Sequence, residues 1–527
     1  MPTRDRVRGL IGRLWAVDPI GPLLALAAVG LFFAHGLQED PLKRDTAIYA
    51  YGAQQAAEGV LPYVSILNRA GPLSHLVPAV GVLGARLVGI DDLLGMRLLL
   101  VALSAGCVWV LYLAGRDLFS SRLAGAACAA SLTAIGGFVV IVAGGPRDKP
   151  IMLFFLVCSL WAVVGSRWAL AGVFVALATL TYQPAFFSAL PTAVVGMAGL
   201  RGRAFAGALT RFAVGGLVPT ALCVAGFALA GAFKELVDGF LLINMEYTVQ
   251  SGALAHLNTL FLGLDHGWGL ALWVVPVGML ACLAAAVRRL LDRDARREPG
   301  GMAVVGMGAG LVAGLLWCLR AYNWWPDTFA LLPYAALGIG AIALAVRVRF
   351  PARVAVPAVG VWCALCLVAG LSHAISTSTP DNKLERQKDS VAAVLRVVPP
   401  DATILSAGSA AALVLSRRRN PTRHLTFAPD LKRYIDDTWP GGLAGYVAWV
   451  DETEPTLITV DNGTAIGWIS SLLRSKYVYV GRAPMWQWYV LRSVGPSTIA
   501  SLREVIRAAA GCGRQDTGGD RCGTIPG

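Results

Sequence analysis

The chain has 527 residues, of which 56% are apolar and 15% charged, and its formal net charge is +13. Soluble domains carry about 25% charged residues, so this composition excludes a disordered chain, a small disulfide scaffold and an ordinary soluble enzyme. The basic balance has the sign of a nucleic-acid binder, and the placement of the charges decides that question.

A membrane-spanning helix needs roughly 20 mainly apolar residues. About eleven segments before residue 375 approach that length: 19–36, 97–114, 123–143, 150–165, 168–185, 187–200, 212–232, 267–287, 302–319, 328–346 and 354–374. Segment 187–200 is short and interrupted by Pro191, so it is expected to pair with its neighbour as a tight hairpin. The first segment lacks a small-residue cleavage site and reads as a signal anchor. The stretch 71–90, GPLSHLVPAVGVLGARLVGI, is apolar too. Counting it as a span would turn every later loop inside out, so it is expected to be a re-entrant or interfacial helix.

Basic residues gather in alternate loops. Arg4, Arg6, Arg8 and Arg13 precede the first segment, Arg116 and Arg122 follow the second, and Arg167 follows the fourth. Arg201, Arg203 and Arg211 follow the sixth, Arg288, Arg289, Arg293, Arg296 and Arg297 the eighth, and Arg347, Arg349 and Arg353 the tenth. Short basic loops stay cytoplasmic, and every group agrees with an N-terminus inside and a C-terminus outside. The charge is therefore a topology signal, and nucleic acid is not the expected partner.

The outer side then holds the loop 37–96, the loop 233–266 and a C-terminal region, 375–527. In that last region ATILSAG (402–408), HLTF (424–427), TLITVDN (456–462), YVYVG and WQWYVLR read as strands. SAAALVLSRR, LKRYIDDTW and WISSLLRSK read as helices between them, and this alternation implies a small α/β domain. Residues 1–374 are thus expected to be a transmembrane module and 375–527 an extracytoplasmic α/β domain, in the plasma membrane of a bacterium. Of the ten cysteines, Cys512 and Cys522 alone flank a polar, Gly-rich loop outside the membrane, where a disulfide is expected. No Cys/His set has zinc spacing, and no Walker loop or internal repeat is visible.

The chemistry of a polytopic protein is usually carried by polar residues at the membrane boundary. Three groups stand there on the outer side. Lys43-Arg44-Asp45 opens a helical pattern that includes Tyr49 and ends at Gly59. Asp45 at such a position either caps the helix or serves as a general base. Asn68-Arg69 precedes the re-entrant helix, and a guanidinium there either reaches for lipid headgroups or holds a phosphate. Arg147-Asp148-Lys149 forms a tight turn between long apolar runs, either a solvated turn or an acid and two cations facing an anion. Tyr182, Gln183, Arg320, Tyr322, Asn323, Trp324, Trp325 and Asp327 are secondary candidates for substrate contact, although interfacial Trp and Tyr also anchor helices in membranes. Glu235, Asp238, Glu246, His256 and Asp265 mark 233–266 as either a lid or a helix lying on the membrane. Arg417, Arg418, Arg419 and Arg423 form a basic patch that is either a solvated turn or an anion site.

Taken together, the chain resembles the GT-C glycosyltransferases, integral-membrane enzymes that use polyprenyl-phosphate sugars, in the branch of protein O-mannosyltransferases and aminoarabinose transferases. RDTAIYAYGAQQAAEGVLPY matches the acidic motif after the first span, with Asp45 in the acid position, and NRAGPLSHL stands where the branch has a Lys-Pro-Pro-like motif. LYLAGRDLF, then RDKPIMLFF with Asp148, follow in the family's order, and ILSAGSAAALVLSRRRNPTRHLTF looks like the start of the exterior α/β domain. Thr46 stands in place of the usual second acid, which weakens the case for a divalent metal, so neither a metal nor another cofactor is assigned. Arg69 replaces a Lys, keeping the charge with a different geometry.

The resemblance implies inverting transfer of a sugar from a polyprenyl-phosphate donor to a cell-envelope glycan, lipoglycan or protein acceptor. Mannose and arabinofuranose both travel on such lipids. Asp45 is expected as general base, Asp148 as a second catalytic acid, and Arg44, Arg69, Arg147 and Lys149 as ligands of the donor phosphate. The competing class is a transporter or flippase of lipid-linked saccharides. It predicts ionisable residues near the bilayer midplane and repeats, whereas the apolar segments hold almost no ionisable residues and no repeat is visible.

Overall fold

The computed structural model describes residues 18–248, 257–292, 294, 296, 300–322, 324–378, 382–462 and 466–509. Arg4, Arg6, Arg8, Arg13, His256, Asn323, Cys512 and Cys522 lie outside the described residues, and with them the expected disulfide.

Each expected apolar segment contains a helix. In chain order they are α1 (Ile20–Ala34), α2 (Arg44–Ala57), α3 (Leu73–Val88), α4 (Asp92–Phe119), α5 (Arg122–Thr133), α6 (Gly136–Gly144), α7 (Asp148–Val164), α8 (Trp168–Thr181), α9 (Ala185–Met197) and α10 (Gly202–Leu229). The short α11 (Phe233–Val237) leads into a π-helix, Asp238–Tyr247. Then come α12 (Leu257–Trp268), α13 (Val274–Leu291), α14 (Gly301–Ala321), a 3-10 turn Trp325–Leu331 running into α15 (Leu332–Arg349), and α16 (Ala352–Thr377). Among the described residues α4, α10, α13, α14, the run Trp325–Arg349 and α16 are long and apolar enough to cross a membrane. Helices α5 and α6 meet that test as a pair bent by 64°, while α1, α3, α8 and α9 are apolar but shorter. The polytopic helical architecture read from the sequence is present, and the stretch 71–90 is a separate helix, α3, packed against α2 and α4.

The C-terminal part is mixed. It contains α17 (Lys383–Val397), β1 (Ile404–Ala407), α18 (Ala411–Ser416), α19 (Pro429–Thr438), α20 (Gly442–Thr453), β2 (Leu457–Asp461), α21 (Ser470–Lys476), β3 (Tyr477–Ala483), β4 (Trp486–Leu491) and α22 (Pro496–Ala509). The sheet order is β1-β2-β4-β3, with β1 and β2 parallel and the other two pairs antiparallel. HLTF is not a strand. It lies beside β1 with one bond, from the Gly408 N–H to the Leu425 carbonyl (2.7 Å), and the Thr422 hydroxyl takes the His424 N–H at 3.0 Å, so no ladder forms.

Two cores position the site. The larger, from Leu24 to Ala374, fills the bundle of apolar helices. The second joins Leu42, Ala47, Tyr51, Ala79 and Met96 to Leu384, Val391, Ile404, Leu413, Trp486 and Trp488. The helices of the first loop and the C-terminal sheet layer thus share one apolar interior. Gln387, fully buried, clamps the chain just before α2: its Oε1 accepts from the Leu42 N–H (2.9 Å) and its Nε2 donates to the Leu42 carbonyl (3.1 Å).

Candidate active site

Helix α2 begins where the sequence predicts. The Thr46 hydroxyl accepts from the Lys43 N–H at 2.9 Å, satisfying an orphan donor of the first turn. The helix ends before Gly59, whose φ of +85° suits a residue without Cβ. Asp45 sits in that first turn with about half its side chain exposed (53%), and it accepts from Arg147 Nη2 at 2.6 Å. The sequence neighbours of Arg147 turn inward. Asp148 opens α7 and is buried, and Lys149 Nζ lies 3.1 Å from its Oδ2. Lys149 Nζ also lies 3.0 Å from the centre of the Tyr182 ring and 4.0 Å from Asp327 Oδ1. The Tyr182 hydroxyl donates to that same Asp327 oxygen at 3.1 Å. One buried cation is therefore held by two carboxylates and an aromatic face, an arrangement that offsets the large cost of burying its charge.

The turn before α3 is fixed just as firmly. A Cβ on Gly71 would fall 2.0 Å from the Leu180 carbonyl, and the Gly71 N–H donates to the Thr181 carbonyl at 3.0 Å. The Arg69 carbonyl accepts from Gln183 Nε2 (3.0 Å) and from Asn244 Nδ2 (2.9 Å). Asn68 Nδ2 lies 3.3 Å from His75 Nε2, and the His75 ring lies 5.4 Å from that of Tyr49. Tyr49 is buried with its hydroxyl bonded to Asn68, and burial, then the nearby Asp148 charge, push its phenol above the usual range.

The cations expected around one phosphate are each set against an acid. Arg147 pairs with Asp45 and Lys149 with Asp148. Arg69 pairs with Asp430 of α19 at 2.6 Å, and Arg44 pairs with Asp461 at the end of β2. Arg320 is exposed in the last turn of α14. The arginines of the basic patch stay largely exposed at Arg417 and Arg419, yet each reaches a partner. Arg417 reaches Asp92 (3.4 Å), Arg419 reaches Glu58 (3.3 Å), Arg423 reaches Tyr434 (3.2 Å), and Arg418 donates to the carbonyls of Pro400 and Ala402. Among the described residues no group of three or more His, Cys, Asp or Glu side chains gathers as around a metal ion.

One residue that the sequence reading passed over joins two of the segments that carry the site. Arg97, 1% exposed, donates to the carbonyls of Leu37 (2.6 Å), Asp40 (2.6 Å) and Gly145 (3.1 Å). It ties the first loop to the turn that carries Arg147. An arginine at the edge of an apolar run was the signal available for it.

The helices and sheet describe a polytopic membrane protein with a GT-C-like fold, the fold expected from the sequence. No family model and no curated protein sequence matches the chain. Among solved structures, ArnT from Cupriavidus metallidurans bound to undecaprenyl phosphate is similar, with a TM-score of 0.62 at 14% identity over 92% of this chain and 99% of that one. Its apo state is similar to the same degree, with a TM-score of 0.62 at 14% identity over 93% of this chain and 99% of that one. The Archaeoglobus fulgidus oligosaccharyltransferase tethered with an acceptor peptide reaches a TM-score of 0.53 at 11% identity, covering 92% of this chain and 75% of that one. At such identities the likeness is one of fold.

Proposed function

We propose that the chain is a glycosyltransferase that moves a sugar, a hexose or a pentose such as mannose or arabinofuranose, from a polyprenyl-phosphate donor to a hydroxyl of a cell-envelope glycan, lipoglycan or protein. The observation that carries this reading is the Asp45–Arg147 pair: a half-exposed carboxylate and a guanidinium, joined at the outer ends of two elements, in a chain with the GT-C fold. Further support is that Arg147 Nε is buried without a hydrogen-bond partner, a donor left over for an anionic oxygen.

In this reading Asp45 takes the proton of the acceptor hydroxyl, and the oxygen attacks the anomeric carbon opposite the phosphate. The bond from that carbon to the phosphate oxygen breaks, and polyprenyl phosphate leaves with the electron pair, so configuration inverts. Arg147 and Arg69 neutralise the charge that grows on the leaving phosphate. Arg44 assists at the rim. Lys149 sets the potential from behind, and Asp148 holds Lys149. The chain would lie in a bacterial plasma membrane, N-terminus cytoplasmic, with the site and the C-terminal part outside.

The test is transfer by the purified protein in liposomes, with polyprenyl-phosphate mannose and polyprenyl-phosphate arabinofuranose as donors. Release of polyprenyl phosphate coupled to a glycosylated acceptor, abolished by Asp45→Asn, supports the proposal. Translocation of the donors without transfer would sink it in favour of a flippase.

A further inference from the structure

A cavity of about 430 Å³ opens between Lys234 and residues 421–449 of the C-terminal part, and Asp45 is not among its lining residues. Its wall is aromatic. Trp439 stands edge-on to Tyr446 (5.0 Å, 81°), to His424 (5.6 Å, 76°) and to Trp449 (5.7 Å, 66°), so both indoles are fixed before any ligand arrives. Its rim is polar, with Thr422, Thr438, Arg423 and Lys234. His424 is 5% exposed, and its Nδ1 has no hydrogen-bond partner. A buried polar atom without a partner is costly unless something supplies one.

The charge of the cleft is small. Lys234 lies 2.6 Å and Arg423 3.9 Å from the single Asp238 carboxylate. Such a surface suits neither a polyanion nor an alkyl chain. It suits a sugar ring, which offers C–H bonds on its flat faces and hydroxyls at its edge. The cleft also adjoins the site. Helix α19 carries Asp430, which pairs with Arg69, and one turn later Tyr434, which lines the cleft. The Leu67 N–H, two residues before Arg69, donates to the Arg423 carbonyl at 2.8 Å.

The geometry points to a saccharide subsite here, in which a ring of a glycan acceptor, other than the ring that receives the new sugar, packs in the corner between Trp439 and Trp449, on the face of one indole and against the other. The word acceptor rests on the transferase reading; the binding of a sugar ring does not. The probes are linear α-linked mannohexaose and α-1,5-linked arabinohexaose, with full-length protein in nanodiscs observed by saturation-transfer NMR. At least one hexasaccharide binds the wild type and Asp45→Asn alike, and Trp439→Ala or Trp449→Ala weakens it about tenfold or more. In transfer assays the same variants raise KM for a hexasaccharide acceptor and leave kcat unchanged. Wild-type protein that binds neither hexasaccharide at millimolar concentration, or folded Trp439→Ala and Trp449→Ala variants that both bind as wild type, would overturn the subsite. Binding lost in Trp439→Ala while the wild type transfers no sugar would keep the subsite and remove the transferase.

Discussion

Arg147 Nη2 reaches Asp45 Oδ2 at 2.6 Å across 102 positions of sequence, and the two residues come from elements that share no hydrogen-bonded ladder. Arg97 bridges the two chain segments that carry them, holding the carbonyls of Leu37, Asp40 and Gly145 at once.

Asp45→Asn keeps the shape of the carboxylate and removes its basicity. A general base contributes about 10²–10⁴-fold, so the initial rate at saturating donor is expected to fall by that range. The thermal unfolding midpoint should move little, because the side chain is half exposed. A variant with more than a tenth of wild-type rate would remove Asp45 from the role of base.

Asp430 is 7% exposed and holds the partly exposed Arg69 at 2.6 Å. In the proposed reaction this carboxylate competes with the donor phosphate for the guanidinium. Asp430→Asn is expected to lower KM for the polyprenyl-phosphate donor, whereas Arg69→Gln raises it. Equal changes of KM in the same direction would show that the pair acts only as a strut.

Lys149 is the most exacting position for stability. Lys149→Met leaves the buried Asp148 without its cation. Removal of one partner of a buried pair costs about 3–5 kcal/mol, which is expected as a lowered unfolding midpoint in detergent. Adding Asp148→Asn to that variant should recover part of the loss, a coupling readable by a double-mutant cycle.

His424 gives the C-terminal part a pH dependence. Burial, and then the Arg423 charge, push its imidazole down to about 4 from the usual 6.5. The fold therefore holds the neutral ring against Tyr434, Trp439 and Tyr446. Its contribution is complete above pH 6.5 and is lost as pH falls from there towards 4, because the unfolded chain takes up the proton first. The full span corresponds to about 3 kcal/mol. Unfolding midpoints recorded between pH 7 and 4 should decline, and His424→Gln should flatten that part of the decline.

The polar boundary of the apolar runs was readable in the sequence. Asp45, Arg147 and Asp148 stand out because charges beside long apolar segments need a purpose, and the same scan placed the α2 helix and its end at Gly59. What stayed hidden were the partners. Arg44 meets Asp461 from 417 positions away, and Gln387 grips Leu42 from 345. No local pattern encodes such pairs. The partners of the basic patch 417–423 were hidden for the same reason: its acids, Asp92, Glu58 and Asp238, belong to other elements. HLTF has strand composition, yet it accepts a bond from the Gly408 N–H, just past β1, without forming a ladder.

The apolar interior common to Leu42, Tyr51 and Met96 on one side and Val391, Leu413 and Trp488 on the other has a practical meaning for anyone recombining such proteins. Asp92, buried and bound by Gln54, Arg86 and Arg417, fastens the same seam with charge. A chimera cut after Thr377 would divide this seam and expose both halves. A viable graft from a related chain must carry residues 37–96 and 383–509 as a matched set, although nearly three hundred residues of other chain lie between them.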